Sequence, residues 1–226
     1  MKINFSKMQG LGNDFMVVNN LQLGWQPTAE QICSLADRHF GVGFDQLLLI
    51  ETPGAGSEAD FAYRIFNADG AEVEQCGNGL RCFARYVYDH RLTNKNTLTV
   101  ETRSGQYQPS LLADGNVKVD MGRPQFAPAQ IPFTAPQQQL DYQLELDQQP
   151  VKVAVLSMGN PHAVTQVDDL QTAPVEQLGA QISNHPLFPN GVNAGFMQII
   201  DRNHIHLRVY ERGAGETLAC GSGACA

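Results

Sequence analysis

Basic residues are scarce in this chain. Fifteen lysines and arginines stand against 23 acidic residues over 226 positions, a formal net charge of −8. No basic patch is available to neutralise phosphates, which argues against nucleic acid as a partner. Long apolar runs are missing too. The longest aliphatic stretch, Leu47-Leu48-Leu49-Ile50, falls far short of the ~20 residues that a membrane span needs. The first residues, Met1-Lys2-Ile3-Asn4, hold no apolar signal core, and Asp14 falls where one would lie. Cysteines are few and odd in number at five. Without a secretory signal they read as reduced thiols of a cytoplasm rather than as a disulfide framework. Their spacing, Cys76 to Cys82 and Cys220 to Cys225, does not match the tight two-residue knuckle of zinc ribbons, so no metal site is expected. Gly-Lys-Ser/Thr is absent, and no loop completes G-x-G-x-x-G, which removes the usual nucleotide cradles. Only Lys2, Lys7, Lys95, Lys118 and Lys152 exist, none within a Cys-Gly block, which disfavours a pyridoxal Schiff base. Chemistry at this chain is therefore expected to run without a cofactor.

What is present reads as a soluble protein of mixed α and β type, with 42% hydrophobic and 17% charged residues. Thr28 with Gln31 forms a capping box, predicting a helix whose apolar face is Ile32, Leu35, Ala36 and Phe40, stopped at Gly41. A second helix is predicted over 79–90, with Leu80, Phe83 and Val87 inward. Strand signals fall near 3–8, 14–19, 45–51, 60–66, 97–103 and 116–120, then near 151–157, 162–168, 196–201 and 204–210. The stretch 121–139 is rich in proline and glutamine and suits a connection. The domains are accordingly drawn at 1–120 and 121–226.

Two cysteine-glycine loops organise this layout. Cys76-Gly77-Asn78-Gly79 returns as Cys220-Gly221-Ser222-Gly223, at an offset of 220 − 76 = 144. Glu72 and Glu216, and Asn67 and Glu211, stand at the same offset. Gly12-Asn13 returns as Gly159-Asn160 at 159 − 12 = 147, and Gly43-Phe44-Asp45-Gln46 matches Gly195-Phe196-Met197-Gln198 at 195 − 43 = 152. Matches in one order point to an internal duplication, with one thiol per half at a site on the seam. The first half continues well past its loop whereas the second stops at Ala226, so the repeat predicts about fifty further residues.

The loops look chemical because Asn78 and Ser222 are strong N-cap formers. They place each cysteine just ahead of a helix N-terminus, where free N–H groups favour negative charge. A free thiol of pKa ~8.5 is only about 3% ionised at neutral pH. A helix end contributes roughly 0.3–2 kcal/mol, which lowers that value by at most about 1.5 units. One thiolate can be poised this way, but two adjacent ones repel. One thiolate base and one thiol acid is thus the expected resting state, the arrangement that two-base proton transfer at a carbon requires. The same helix ends suit a substrate carboxylate. Glu211 suits an ammonium and Arg212 a second carboxylate, while Asn13, Asn67, Asn160 and Asn193 offer neutral amides to orient a zwitterion.

Plainer readings stand beside these. Cys33, Cys82 and Cys225 read as core residues. His162 reads equally as a structural histidine or as a tuner of a thiol. Glu211 with Arg212 reads as an ordinary surface pair unless the repeat equivalence to Asn67 has a purpose. Arg81 and Arg85 read as a solvated helix face, and His204 and His206 as the outward face of a strand.

The blocks Met8-Gln9-Gly10-Leu11-Gly12-Asn13-Asp14-Phe15, Phe66-Asn67-Ala68-Asp69-Gly70, Met158-Gly159-Asn160-Pro161-His162, Val192-Asn193-Ala194-Gly195-Phe196 and Glu211-Arg212-Gly213-Ala214-Gly215-Glu216 join the two cysteine loops. Together they resemble bacterial diaminopimelate epimerases, from Lys7 to the last residue. The resemblance implies two pseudo-symmetric α/β domains of α+β type, each a sheet wrapped around a central helix, with a site in the cleft between them. It also implies cofactor-independent interconversion of LL- and meso-diaminopimelate in lysine and peptidoglycan precursor synthesis, by a cytoplasmic homodimer. On the matching positions it makes Cys76 and Cys220 the acid/bases, and brings Asn13, Gln46, Asn67, Asn160, Asn193, Glu211 and Arg212 to the substrate. The backbone at Gly77, Asn78, Gly221 and Ser222 would take the carboxylate, and His162 and Glu211 would tune the thiols. Proline racemases and hydroxyproline epimerases, which also use two thiols, are the nearest rival. Their single-carboxylate ring substrates leave Arg212 and the asparagines without a purpose. Phenazine-type relatives lack the cysteine pair. A thiol–disulfide switch joining Cys76 to Cys220 is the reading outside enzymes.

Overall fold

Leu47, Leu48, Leu49 and Ile50 are all fully buried in the structure, a computed structural model that describes residues 2–74, 76–147 and 150–226. A strand buried on both faces reads as a continuous apolar run. This one is β3 (Gln46–Glu51), at the centre of the first of two compact units, Met1–Met121 and Gly122–Ala226.

In the first unit, β1 (Ser6–Gly10), β2 (Asn13–Asn19), β3, β4 (Phe61–Asn67), β6 (Val100–Thr102) and β7 (Gly105–Tyr107) lie side by side in that order. The short β5 (Glu72–Val73) pairs with β4, and β8 (Ser110–Leu111) pairs with β9 (Val117–Lys118) as a separate ribbon. One face of the sheet carries Phe15, Val17, Leu48, Ile50 and Ile65 and packs on α2 (Gly77–Asp89) through Leu80, Phe83 and Val87. The opposite face, with Met16, Val18, Leu47 and Leu49, is covered by α1 (Ala29–Ala36) through Ile32 and Ala36. The helix α1 begins at the Thr28/Gln31 capping box expected from the sequence, but ends earlier than its apolar pattern. Asp37 accepts hydrogen bonds from the His39 and Phe40 N–H groups, turning the chain so that Phe40 is 95% exposed rather than on the apolar face.

In the second unit the order is β10 (Tyr142–Glu145), β11 (Pro150–Ser157), β12 (Pro161–Gln166), β13 (Asn193–Asp201), β14 (His204–Glu211) and β15 (Gly215–Thr217). The helix α3 (Val175–Ser183), absent from the sequence expectations, carries the parallel crossover from β12 to β13. It packs through Val175 and Ile182 on Val155, Ala163, Ala194 and Phe196. The proline-rich stretch 121–139 is more than a connection, because Ile131 and Phe133 are buried in this same core. Ile205 is half exposed, as its neighbours His204 and His206 are exposed, so that end of β14 does not alternate. Cys82 is buried as expected, whereas Cys33 and Cys225 are exposed.

Strand registers show the duplication directly. Phe15 pairs with Gln46 across the parallel strands β2 and β3, as His162 pairs with Asn193 across β12 and β13. Ile65 pairs with Val73 across β4 and β5, as Val209 pairs with Thr217 across β14 and β15. The offset is 162 − 15 = 147 for the first pair of strands and 209 − 65 = 144 for the second. This makes Asn193, not Gln198, the counterpart of Gln46 and overturns the 152-residue match. A run of four similar residues is a weaker signal than a ladder of inter-strand hydrogen bonds, since a slipped register would turn every side chain to the other face.

Candidate active site

The first cysteine loop follows β5 and starts α2. Cys76 has extended dihedrals (φ −142°, ψ 120°) and is itself the N-cap. This corrects the expectation that Asn78 caps the helix: Asn78 lies within the first turn and is 1% exposed. The Gly79 N–H donates to Cys76 Sγ at 3.5 Å, so the thiol sulfur takes the place of a capping oxygen. Space at position 79 is tight, because a Cβ there would stand 3.1 Å from Ile65 Cδ1. The Cys76 thiol donates to Asn13 Oδ1 at 3.7 Å, and Asn78 Nδ2 donates to the same oxygen at 3.3 Å. Asn13 is held in turn by its Nδ2 donating to Asp45 Oδ2 at 3.0 Å.

Asp45 belongs to a charged lattice that sequence reasoning missed. Arg38 donates to Asp14 Oδ1 at 2.9 Å and to Asp45 Oδ1 at 2.7 Å, and Lys7 pairs with Asp14 at 2.5 Å. Burial alone would raise the Asp14 pKa. The hydrogen bonds from Arg38, Lys7 and the Asp45 backbone outweigh it and hold the carboxyl well below the usual carboxylate range. The block Gly12-Asn13-Asp14 was a signal for this lattice, but nothing local points from it to Arg38. Arg81, expected to be solvated, donates to Asn78 Oδ1. Tyr63 on β4 also reaches the loop: the Cys76 N–H donates to its hydroxyl at 2.9 Å. Gln46 and Asn67 face each other across β3 and β4, with Gln46 Nε2 donating to Asn67 Oδ1 at 2.8 Å. Gln46 Oε1 is buried with no hydrogen-bond partner among the described residues.

In the second unit, Cys220 starts an equivalent turn. Gly223 N–H donates to its Sγ at 3.4 Å, and Ala224 N–H to its carbonyl at 3.0 Å. Ser222 Oγ lies 3.5 Å from Cys220 Sγ and 3.0 Å from His162 Nε2. His162 Nε2 is also 3.2 Å from Asn160 Oδ1, which only accepts. Nε2 therefore carries the proton, and the Ser222 hydroxyl is left to donate to sulfur. His162 is fully buried, and burial followed by the nearby Arg212 charge pushes its pKa down to about 4. It is thus a neutral imidazole at neutral pH. Asn193 Oδ1 accepts from the Arg212 backbone N–H at 2.9 Å, and the Arg212 guanidinium donates to Asn190 O at 2.9 Å. Glu211 Oε1 accepts from Thr217 Oγ1 at 2.5 Å.

Each unit thus gathers its own sequence-predicted residues. Asn13, Cys76, Gly77 and Asn78 meet in the first, with Gln46 and Asn67 as a separate pair. Asn160, His162, Cys220, Gly221 and Ser222 meet in the second, with Asn193, Glu211 and Arg212 at the facing ends of β13 and β14. Among the described residues no group of three or more His, Cys, Asp or Glu side chains is placed to hold a metal ion, and no helix is long and apolar enough to cross a membrane.

Comparison with known proteins places these features. A family model for diaminopimelate epimerase matches residues 5–127 and 154–226. The diaminopimelate epimerase of Nitrosospira multiformis is 59% identical over 228 residues, spanning all of this chain and 81% of that one. Those of Acinetobacter baumannii (strain AYE) and Nitrosomonas europaea are 58% and 56% identical, again over the whole chain and over 80% and 82% of theirs. Among solved structures, a probable proline racemase from Agrobacterium radiobacter K84 superposes with a TM-score of 0.70 at 17% identity, covering 98% of this chain and 74% of that one. A phenazine biosynthesis protein of the PhzF family from Bacillus anthracis gives 0.62 at 20% identity, covering 99% and 78%. At such identities the likeness concerns the fold, a two-domain α+β architecture that this chain shares.

Proposed function

The chain belongs to the diaminopimelate epimerase family, and on that premise we propose that it converts LL-diaminopimelate to the meso form without a cofactor, Cys76 and Cys220 serving as the two acid/bases. The observation that carries the reading is the thiol cap in each unit, Gly79 N–H to Cys76 Sγ and Gly223 N–H to Cys220 Sγ. Sulfur that accepts a backbone N–H, at a helix start for Cys76 and in a turn for Cys220, is stabilised as thiolate once its proton has left.

In the reaction, one thiolate takes the Cα proton and becomes a thiol. The other thiol gives its proton to the opposite face and becomes a thiolate, so nothing is oxidised or reduced and the total charge is unchanged, the negative charge having passed from one sulfur to the other. Negative charge developing between the two steps spreads into the adjoining carboxylate, which the backbone at Gly77, Asn78, Gly221 and Ser222 takes. Glu211 receives the ammonium, and Gln46 Oε1, a buried acceptor without a partner among the described residues, suits a further N–H donor. Arg212, with Asn13, Asn67, Asn160 and Asn193, orients the distal amino-carboxylate end. His162 keeps the Ser222 hydroxyl directed at Cys220 and so tunes that thiol. The enzyme is read as a cytoplasmic homodimer supplying lysine and peptidoglycan precursors.

Incubation with LL-diaminopimelate in D₂O tests this. Cα deuterium and meso product should appear together with no cofactor added, and Cys76→Ala or Cys220→Ala should abolish net epimerisation. Either variant turning over at the wild-type rate would remove the two-thiol reading. Turnover of proline or hydroxyproline in place of diaminopimelate would move the substrate.

A further inference from the structure

We propose that Tyr63 is a positioning residue for the Cys76 thiol, its hydroxyl replacing the capping partner that Gly79, having no side chain, does not supply. The proposal rests on the reading of Cys76 as a reacting group. An N-cap residue leaves its own backbone N–H outside the helix, and the usual remedy is a Glu or Gln side chain three residues on. The helix α1 uses that remedy, with Thr28 N–H donating to Gln31 Oε1 at 3.2 Å. The equivalent position in α2 is Gly79. It has no side chain to offer and little room for one, since a Cβ would meet Ile65 Cδ1 at 3.1 Å and Leu48 Cδ1 at 3.4 Å.

Tyr63 makes up the deficit from a different element. Its hydroxyl accepts the Cys76 N–H at 2.9 Å and donates to the Cys76 carbonyl at 3.3 Å, using both its lone pair and its proton on one residue. The ring packs against Phe83 of α2 at 5.8 Å between centroids, so helix and hydroxyl are held by the same contact. Burial, and then the charge of Cys76, keep the Tyr63 pKa well above its ordinary value, so the hydroxyl stays protonated and bridges rather than acting as a base. With N–H and C=O both engaged, the Cys76 backbone is held in place, and its sulfur leaves the Gly79 N–H only by rotation about χ1.

The strand position that answers to Tyr63 in the second unit cannot supply the same device. At the 144-residue offset, Tyr63 corresponds to Leu207 on β14 (207 − 63 = 144), which has no hydroxyl. The two thiols are therefore positioned by different means. In the second unit the side chain Ser222 addresses the sulfur itself.

Tyr63→Phe keeps the ring and removes only the bridge. Alkylation by iodoacetamide, followed by mass spectrometry that resolves each cysteine, makes Cys220 the internal control for Cys76. The expected result is a Cys76 rate lowered about tenfold against Cys220, with kcat for the epimerisation lowered about tenfold and KM within about twofold, since each tenfold corresponds to ~1.4 kcal/mol of lost positioning. An unchanged rate ratio in a folded variant overturns the proposal. Hydrogen exchange at the Cys76 amide of the unsubstituted protein is an independent readout should the variant not fold. Slowed exchange is expected, and exchange at the rate of an unstructured amide overturns the assignment. If Cys76→Ala kept its epimerase activity while Tyr63→Phe still slowed alkylation, the catalytic reading of Cys76 would fall and the positioning of its thiol would stand.

Discussion

Arg208 grips Glu216 with two parallel hydrogen bonds, Nε to Oε1 at 2.6 Å and the terminal nitrogen to Oε2 at 2.7 Å. The same fork joins Arg64 to Glu72 at 2.8 and 2.9 Å in the other unit, and 208 − 64 = 216 − 72 = 144. Each glutamate sits on the short strand that leads into a cysteine loop, β15 or β5, and each arginine on the longer strand beside it. The fork therefore ties the entry of each loop to its sheet. Bidentate arginine–carboxylate pairs add geometric definition as well as energy.

Replacing either arginine by methionine keeps the aliphatic stem and removes the fork. Both pairs are partly solvated, so the expected loss is about 0.5–1 kcal/mol of stability, read from the urea midpoint. Activity should fall further than that loss explains, because the loop entry is no longer held. Arg64→Met and Arg208→Met with normal kcat would show that the forks serve the sheet alone.

His162 gives the protein a pH dependence whose sign is fixed by its burial. Unfolded, its imidazole takes a proton near pH 6.5, whereas folded it does so only at about 4. Between those values the unfolded chain binds more protons, so stability rises with pH across that window and falls as pH drops through it. His162→Gln should flatten the curve there, by up to about 1 kcal/mol per pH unit, with chemical denaturation followed from neutral pH down to the acid side. Parallel curves for the two proteins would mean that the imidazole is not held neutral.

Gly179 in the middle of α3 looks improvable, since alanine ordinarily gains about 1 kcal/mol over glycine inside a helix. Here the sign should reverse. A Cβ at position 179 would stand 2.5 Å from Tyr210 Cβ, close to the backbone of β14 and not at a flexible tip. Gly179→Ala is expected to cost ~1–3 kcal/mol of stability, and a raised melting temperature would refute that close packing.

Much of the candidate site was legible because its signals are local. The two Cys-Gly loops, the Asn-bearing blocks and the Glu211-Arg212 pair could be read as residue types at repeat distances. The helix α3 could have been found the same way, because α1 shifted by 147 residues lands on it. Tyr63, Asp45 and Arg38 could not, since a tyrosine in an alternating strand looks like any core aromatic until its hydroxyl is seen to meet the Cys76 backbone.

The sequence by itself determined the longer strands, the capped start of α1 and the paired thiol loops, through periodicity, cap chemistry and repetition that act over a few residues, but not the short β5, β7, β8, β10 and β15. Only the tertiary structure decided that Cys76 rather than Asn78 caps α2, that Asn193 rather than Gln198 answers to Gln46, and that His162 is neutral. The last two outcomes depend on a hydrogen-bond ladder and on burial by segments remote in the chain, and the first on the extended backbone of Cys76, whose N–H is bonded to Tyr63 on β4. The free energy of such contacts is set by what surrounds a residue in space, which its sequence neighbours do not specify.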